Sequence, residues 1–131
     1  MKFKRIRKFK VWSTFFFFWP FIIALNYRIW LMAAILGGII IVCFLYHLAD
    51  EKHFYLIDRV LAWLLILENL YLCYLGKFLV PYFSLALLFA FIAIFLQQYL
   101  ERKGNYNIYH GFWHIFAVLI TICSLLAYIN Y

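Results

Sequence analysis

Tyr109-His110-Gly111-Phe112-Trp113-His114-Ile115-Phe116-Ala117-Val118-Leu119-Ile120 opens the last long apolar run of the chain, which continues to about Ile129. A helix of about 20 apolar residues crosses the hydrocarbon of a bilayer, and Ile108 to Ile129 has that length. Its entrance carries two histidines at positions i and i+4. Residues so spaced share one helix face, with Cβ atoms roughly 5–6 Å apart, so both imidazoles can reach one metal ion. The stretch therefore combines a candidate span with a polar pair at its mouth.

Composition extends that reading to the whole chain. Its 131 residues are 69% hydrophobic and 24% aromatic, with a mean hydropathy of +0.94. Soluble domains average about 45–50% apolar residues, and one small core cannot hide the excess. Barrel strands of about 10 alternating residues do not fit such unbroken runs. Helices that satisfy their own backbone hydrogen bonds do. The expected fold is all-α, an integral membrane bundle of about five transmembrane helices in a single domain.

Taken in order, residues 1–10 form a basic arm and the spans fall at about 11–27, 29–48, 56–75, 78–99 and 108–129. The first run is short, holds Pro20 as a candidate kink, and competes with a re-entrant or interfacial segment. It lacks a small-residue cleavage site, so it is expected to be retained and not removed as a signal peptide. Gly37-Gly38 allow a neighbouring helix to approach the second span closely. Residues 49–55 read as a polar loop, Gly76-Lys77 as a tight turn, and Pro81 as a residue near the start of the fourth span. Cys43, Cys73 and Cys123 all lie inside apolar runs, which argues against a disulfide framework.

Charge sets the expected orientation. The net charge is +7, and Lys2, Lys4, Arg5, Arg7, Lys8 and Lys10 supply half of the twelve basic residues. The chain enters lipid directly after this arm, so anionic headgroups are a better partner for it than nucleic acid. With five spans, the six arm residues share a side with Lys52, Arg59, Arg102 and Lys103, and only Arg28 and Lys77 lie opposite. The positive-inside rule then puts the N-terminus in the cytoplasm and the C-terminus outside.

The same parity gathers the polar residues. His47 closes the second span, Asp58 opens the third, and His110 and His114 open the fifth, all towards the cytoplasmic face. Three neutral imidazoles form a recognised catalytic zinc set with one tetrahedral position left for water. Zinc lowers the pKa of that water to about 7. Asp58 would orient or deprotonate the water, or hold a ligand histidine in its tautomer. A lone His-x-x-x-His is a weak signal, and Asp58 beside Arg59 also suits a helix start through the dipole; their common location is what joins them. His53 reads as an interfacial residue. Glu68 and Asn69 lie midway along the third span, where charge is costly. They either line a polar cavity or pair between helices.

These residues resemble the CREST superfamily of membrane hydrolases, which includes the alkaline ceramidases, the progestin and adipoQ receptors and the haemolysin III proteins. The resemblance rests on His47, Asp58 eleven positions later, and His110-x-x-Trp113-His114 opening the last span. The Trp113-His114 pair is most similar to the alkaline ceramidase branch. The resemblance implies zinc held by His47, His110 and His114, Asp58 near the zinc-bound water, and hydrolysis of a lipid amide such as ceramide. Two departures stand out. The family commonly has seven spans against five here, so the substrate cavity is smaller or is completed by another copy of the chain in a homo-oligomer, or by a partner. Cys43 also stands where the family usually has serine, as a weak hydrogen-bonding group, a thiolate near the metal, or a small packing residue.

The expected function is a zinc-dependent intramembrane hydrolase of a lipid amide or ester, with Cys43, Trp113 and Asn69 around the ligands. Two alternatives come from other classes. Histidines on facing helices can serve as axial ligands of a haem in electron transfer, although Asp58 then has no role. A non-catalytic membrane receptor or partner with a structural zinc site is the other.

Overall fold

The computed structural model describes the backbone of residues 9–49, 52–104 and 106–131, and their side chains except at 9–10, 47–49, 52–55, 101 and 106–107. No strand occurs among the described residues. A first rod joins α1 (Phe9–Trp12), a 3₁₀ segment (Ser13–Phe17) and α2 (Phe18–Asn26). It is followed by α3 (Trp30–Ala49) and α4 (Lys52–Leu75). Next comes α5 (Tyr82–Phe95), prolonged by a π turn (Leu96–Leu100) and the short α6 (Glu101–Lys103), and last α7 (Tyr106–Ile129). The all-helical expectation holds. The basic arm lies largely outside the described residues.

The irregular part of the first rod lies just before Pro20. A proline ring clashes with the carbonyl four residues back and offers no N–H to it. The preceding turn tightens accordingly into 3₁₀ geometry over Ser13–Phe17, and the α-helix resumes at Phe18. The tightening has a consequence for the site, since it turns Ser13, Thr14 and Phe17 together into the interior.

Two element boundaries differ from the sequence reading. The polar loop expected over 49–55 is shorter, because α4 already begins at Lys52; nothing between Lys52 and Asp58 is glycine or proline, so helix continues through the polar residues. The fourth helix begins at Tyr82 and not at Phe78. Here α4 ends in a Schellman turn, with Phe78 N–H donating to Cys73 O at 2.8 Å and Lys77 N–H to Tyr74 O at 2.9 Å. Lys77 and Phe78 take left-handed φ of 51° and 52°, and Pro81 follows as the residue capping α5. The same device ends α2. Ile29 N–H donates to Ala24 O at 2.9 Å, Arg28 N–H donates to Leu25 O at 3.1 Å, and Arg28 has φ 58°.

The last helix organises the packing. α7 packs against the first rod, α4 and α5, while α3 packs against the first rod and α4. The rod, α3, α4 and α7 thus form a ring, with α5 laid on the outside of α7. Phe17, Met32, Leu36, Leu72 and Leu125 fill the centre of the ring. The close approach expected at Gly37 and Gly38 does not depend on glycine: a Cβ at Gly37 would lie 3.5 Å from the Phe21 ring and one at Gly38 3.4 Å from Leu61, both ordinary packing contacts. A backbone contact closes in at Gly76, where a Cβ would sit 2.5 Å from the carbonyl oxygen of Ala127. The turn after α4 therefore lies directly on the backbone of α7.

Among the described residues, Tyr82–Leu100 and Ile108–Ile129 are long and apolar enough to cross a membrane, and Ser13–Asn26 and Trp30–Tyr46 are shorter apolar helices. The outer surface is strongly apolar, with Trp19, Trp30, Trp63, Val80 and Phe91 all more than 60% exposed.

Candidate functional site

Four elements bring polar side chains to one end of the ring. On α7 the i and i+4 spacing sets the rings of His110 and His114 4.6 Å apart, edge to face. Trp113 stacks almost parallel on His110 at 5.7 Å. His110 is half-buried and His114 is buried. From α3, Cys43 places its Sγ 3.5 Å from His114 Nε2. From α4, the Asp58 carboxylate accepts a hydrogen bond from the Cys43 thiol and lies near His110 and Arg59.

The first rod supplies a part of the site that spacing did not suggest. Ser13 Oγ and His114 Nδ1 are 2.7 Å apart, a fully buried hydrogen bond between residues 101 positions apart. Its donor follows the ring tautomer. Thr14 Oγ1 lies 3.6 Å from Cys43 Sγ, and the Phe17 ring meets His114 edge-on at 5.9 Å. The signal in the sequence is slight: Ser13-Thr14 is a pair of hydroxyls at the head of an otherwise apolar and aromatic run.

A cavity of about 290 Å³ leads away from these groups. Its head is lined by Cys43, Tyr46, Asp58, Arg59, His110 and His114, and the rest of its wall is mainly apolar, with small alanines from α4, α5 and α7, interrupted by Asn69 and Gln97. Ile66 and Leu70 of α4 and Ile94 of α5 border it and are also exposed. The cavity thus opens sideways, through the outer face between α4 and α5.

Asn69 lines the same cavity, but eleven residues beyond Asp58, about 16 Å along the helix axis. There it bridges helices, with Nδ2 donating to Thr121 Oγ1 at 3.2 Å, while Thr121 donates to the Ala117 carbonyl at 2.9 Å. Because the threonine proton is committed to that carbonyl, the amide must present its NH₂ to Thr121. Its Oδ1 is left buried with no partner among the described residues. One turn on, Cys73 Sγ donates to Ser124 Oγ at 3.5 Å, so Cys73 is an interhelical residue of the α4–α7 contact. All three cysteines are free and buried. Glu68 is buried on α4.

Of the sequence-predicted residues, the structure thus brings together Asp58, His110, His114, Trp113 and Cys43, and sets Asn69 deeper. His47 belongs to the last turn of α3, and its side chain lies outside the described residues. Among the described residues, no three His, Cys, Asp or Glu side chains are grouped as a metal site. Two imidazoles, a thiol and a carboxylate line the cavity head without forming such a group. Comparison of the chain with family models, curated proteins and solved structures returned no match.

Proposed function

We propose that the chain is an integral membrane bundle of about five spans, N-terminus cytoplasmic, that hydrolyses a lipid amide or ester with zinc held by His47, His110 and His114. The observation that carries this reading is the cavity, whose head combines Asp58, His110 and His114 and whose remainder is an apolar slot opening between α4 and α5. Such a slot suits an acyl chain entering from the bilayer, with its carbonyl left at the polar head. The exposed tryptophans and phenylalanines of the outer surface support the membrane setting, as does the concentration of basic residues on one side.

His110 and His114, with His47, would hold zinc there, which would supply Lewis-acid polarisation of a carbonyl and activation of water. The remaining work falls to the chain. Ser13 accepts a hydrogen bond from His114 Nδ1–H and so fixes the tautomer that offers Nε2 to the metal, the usual task of an outer partner to a ligand histidine. Trp113 holds the His110 ring by stacking. Asp58 takes a proton from the attacking water and returns it to the leaving amine or alcohol.

Zinc content, measured by elemental analysis in the purified protein and in a His110→Ala/His114→Ala variant, tests the proposal. Zinc in the first and none in the second is expected, together with ceramide hydrolysis that is lost on chelation and restored by zinc. Equal and negligible zinc in both refutes it.

A further inference from the structure

We infer that Gln97 is the carbonyl-binding residue of the cavity, its Nε2–H donating to the oxygen of a lipid carbonyl that enters between α4 and α5. The inference rests on the lipid reading of the cavity and is independent of the metal. Gln97 follows Ala90 and Ala93 at helical spacing on one face of α5 and its π turn, and all three line the cavity.

The level of Gln97 follows from a ring contact. Phe89 of α5 meets Phe116 of α7 at 5.9 Å, and these two helices, successive long elements packed side by side, run antiparallel. Gln97 lies eight residues on from Phe89, and Ile108 lies eight residues back from Phe116, each about 12 Å along its axis. Gln97 is therefore level with the opening turn of α7, where His110 lines the same cavity. It is the polar residue of the α5 wall that stands beside the head.

The backbone sets Gln97 apart from its neighbour. Both belong to the π turn Leu96–Leu100, a rare geometry that is frequent at functional sites. Gln98 is exposed and accepts a hydrogen bond from Arg102 at 3.4 Å, whereas Gln97 is half-buried in the cavity wall. Among the described residues, the Gln97 carboxamide has no hydrogen-bond partner.

A carbonyl carried into an apolar slot gives up its water and needs a donor inside. Ile94, one turn before Gln97, is exposed and borders the cavity, so the polar end of a chain entering sideways passes Gln97. Asn69, the other carboxamide of the wall, is turned to Thr121 and lies deeper. Arg59 reaches the head but lies near the Asp58 carboxylate. A donor at Gln97 also meets the negative charge that gathers on the oxygen when a carbonyl is attacked.

A long-chain methyl ketone, isotope-labelled at its carbonyl carbon, tests this on the full chain in detergent with a chelator present; a ketone is not hydrolysed, and no metal then polarises it. The wild type should bind it saturably, and Ala90→Leu should weaken that binding by about tenfold. The infrared carbonyl stretch of the bound ketone should lie below that of the same ketone in alkane. Gln97→Met should return the stretch to the alkane position and weaken binding about three- to tenfold, while Gln98→Met should change neither. Gln97→Ala, which extends the alanine face of α5, carries the same expectation and decides the matter if the methionine variant does not fold. A stretch that stays low without Gln97 overturns the assignment and leaves the lipid reading standing. No saturable binding by the wild type, or binding indifferent to Ala90→Leu, overturns both.

Discussion

Replacing Ser13 by alanine should loosen the metal site and the fold together. The substitution deletes one oxygen from a position with no solvent exposure, 2.7 Å from the Nδ1 of a histidine that is itself 1% exposed. Alanine keeps the Cβ, so the packing loss is small and the hydrogen bond dominates. Removing one partner of a buried polar pair costs about 1–3 kcal/mol. Cross-helix hydrogen bonds in membrane proteins average nearer 0.6 kcal/mol, because the unfolded chain in lipid finds other partners. Burial of both groups at a helix crossing puts this pair towards the middle of that span, about 1–2 kcal/mol. An outer partner of a ligand histidine is worth about 10–100-fold in metal affinity. The assay is a zinc titration against a competing chelator, with thermal unfolding in detergent, on the wild type, Ser13→Ala, His114→Phe and the double variant. Ser13→Ala should weaken zinc by at least about tenfold, and its stability cost should largely vanish in the His114→Phe background, where the pair no longer exists. An unchanged zinc affinity, or the same stability loss in both backgrounds, would show that Ser13 merely fills space.

Other outcomes follow from the packing and the cavity. Gly76→Ala should destabilise the protein by about 2–3 kcal/mol, seen as a lowered unfolding temperature, since its Cβ would meet the Ala127 carbonyl oxygen at 2.5 Å and backbone cannot step aside cheaply. Thr121→Val should cost about 1–2 kcal/mol by stranding the Asn69 NH₂, whereas Asn69→Leu combined with Thr121→Val should cost less than Thr121→Val alone, because both partners leave together. Ala90→Leu, placed in the apolar wall of the cavity, should lower kcat/KM for long-chain lipid amides by about tenfold, the worth of a few methylene groups in an apolar pocket, while short-chain substrates are spared.

The helices were legible because apolar runs of membrane length leave few other solutions. Their ends were less so. Lys52 joins α4 because helix propensity, and not polarity, decides whether a residue after a span stays helical, while α5 starts late because Lys77 and Phe78 adopt left-handed backbone that no composition rule announces. At the site, His110 and His114 were readable from spacing within one helix, Asp58 from its place at the start of an apolar run, and Cys43 only through the family resemblance. Ser13 was not, because its role depends on which face the 3₁₀ turn before Pro20 presents. Asn69 invited two readings and satisfies both, since it lines the cavity while bonding across to Thr121. Spacing within one helix says nothing about its partner on another.

The pairing of Ser13 with His114 also has a bearing on biogenesis. The two residues are separated by 101 positions, so during synthesis the first rod waits for its partner until the last helix has been made. At roughly 5–20 residues per second, that interval lasts several seconds. Throughout it Ser13 is without its His114 partner, and neither His110 nor His114 has yet been made. The cavity head is therefore completed only when α7 arrives, and a nascent chain stalled before that helix lacks His110 and His114 altogether.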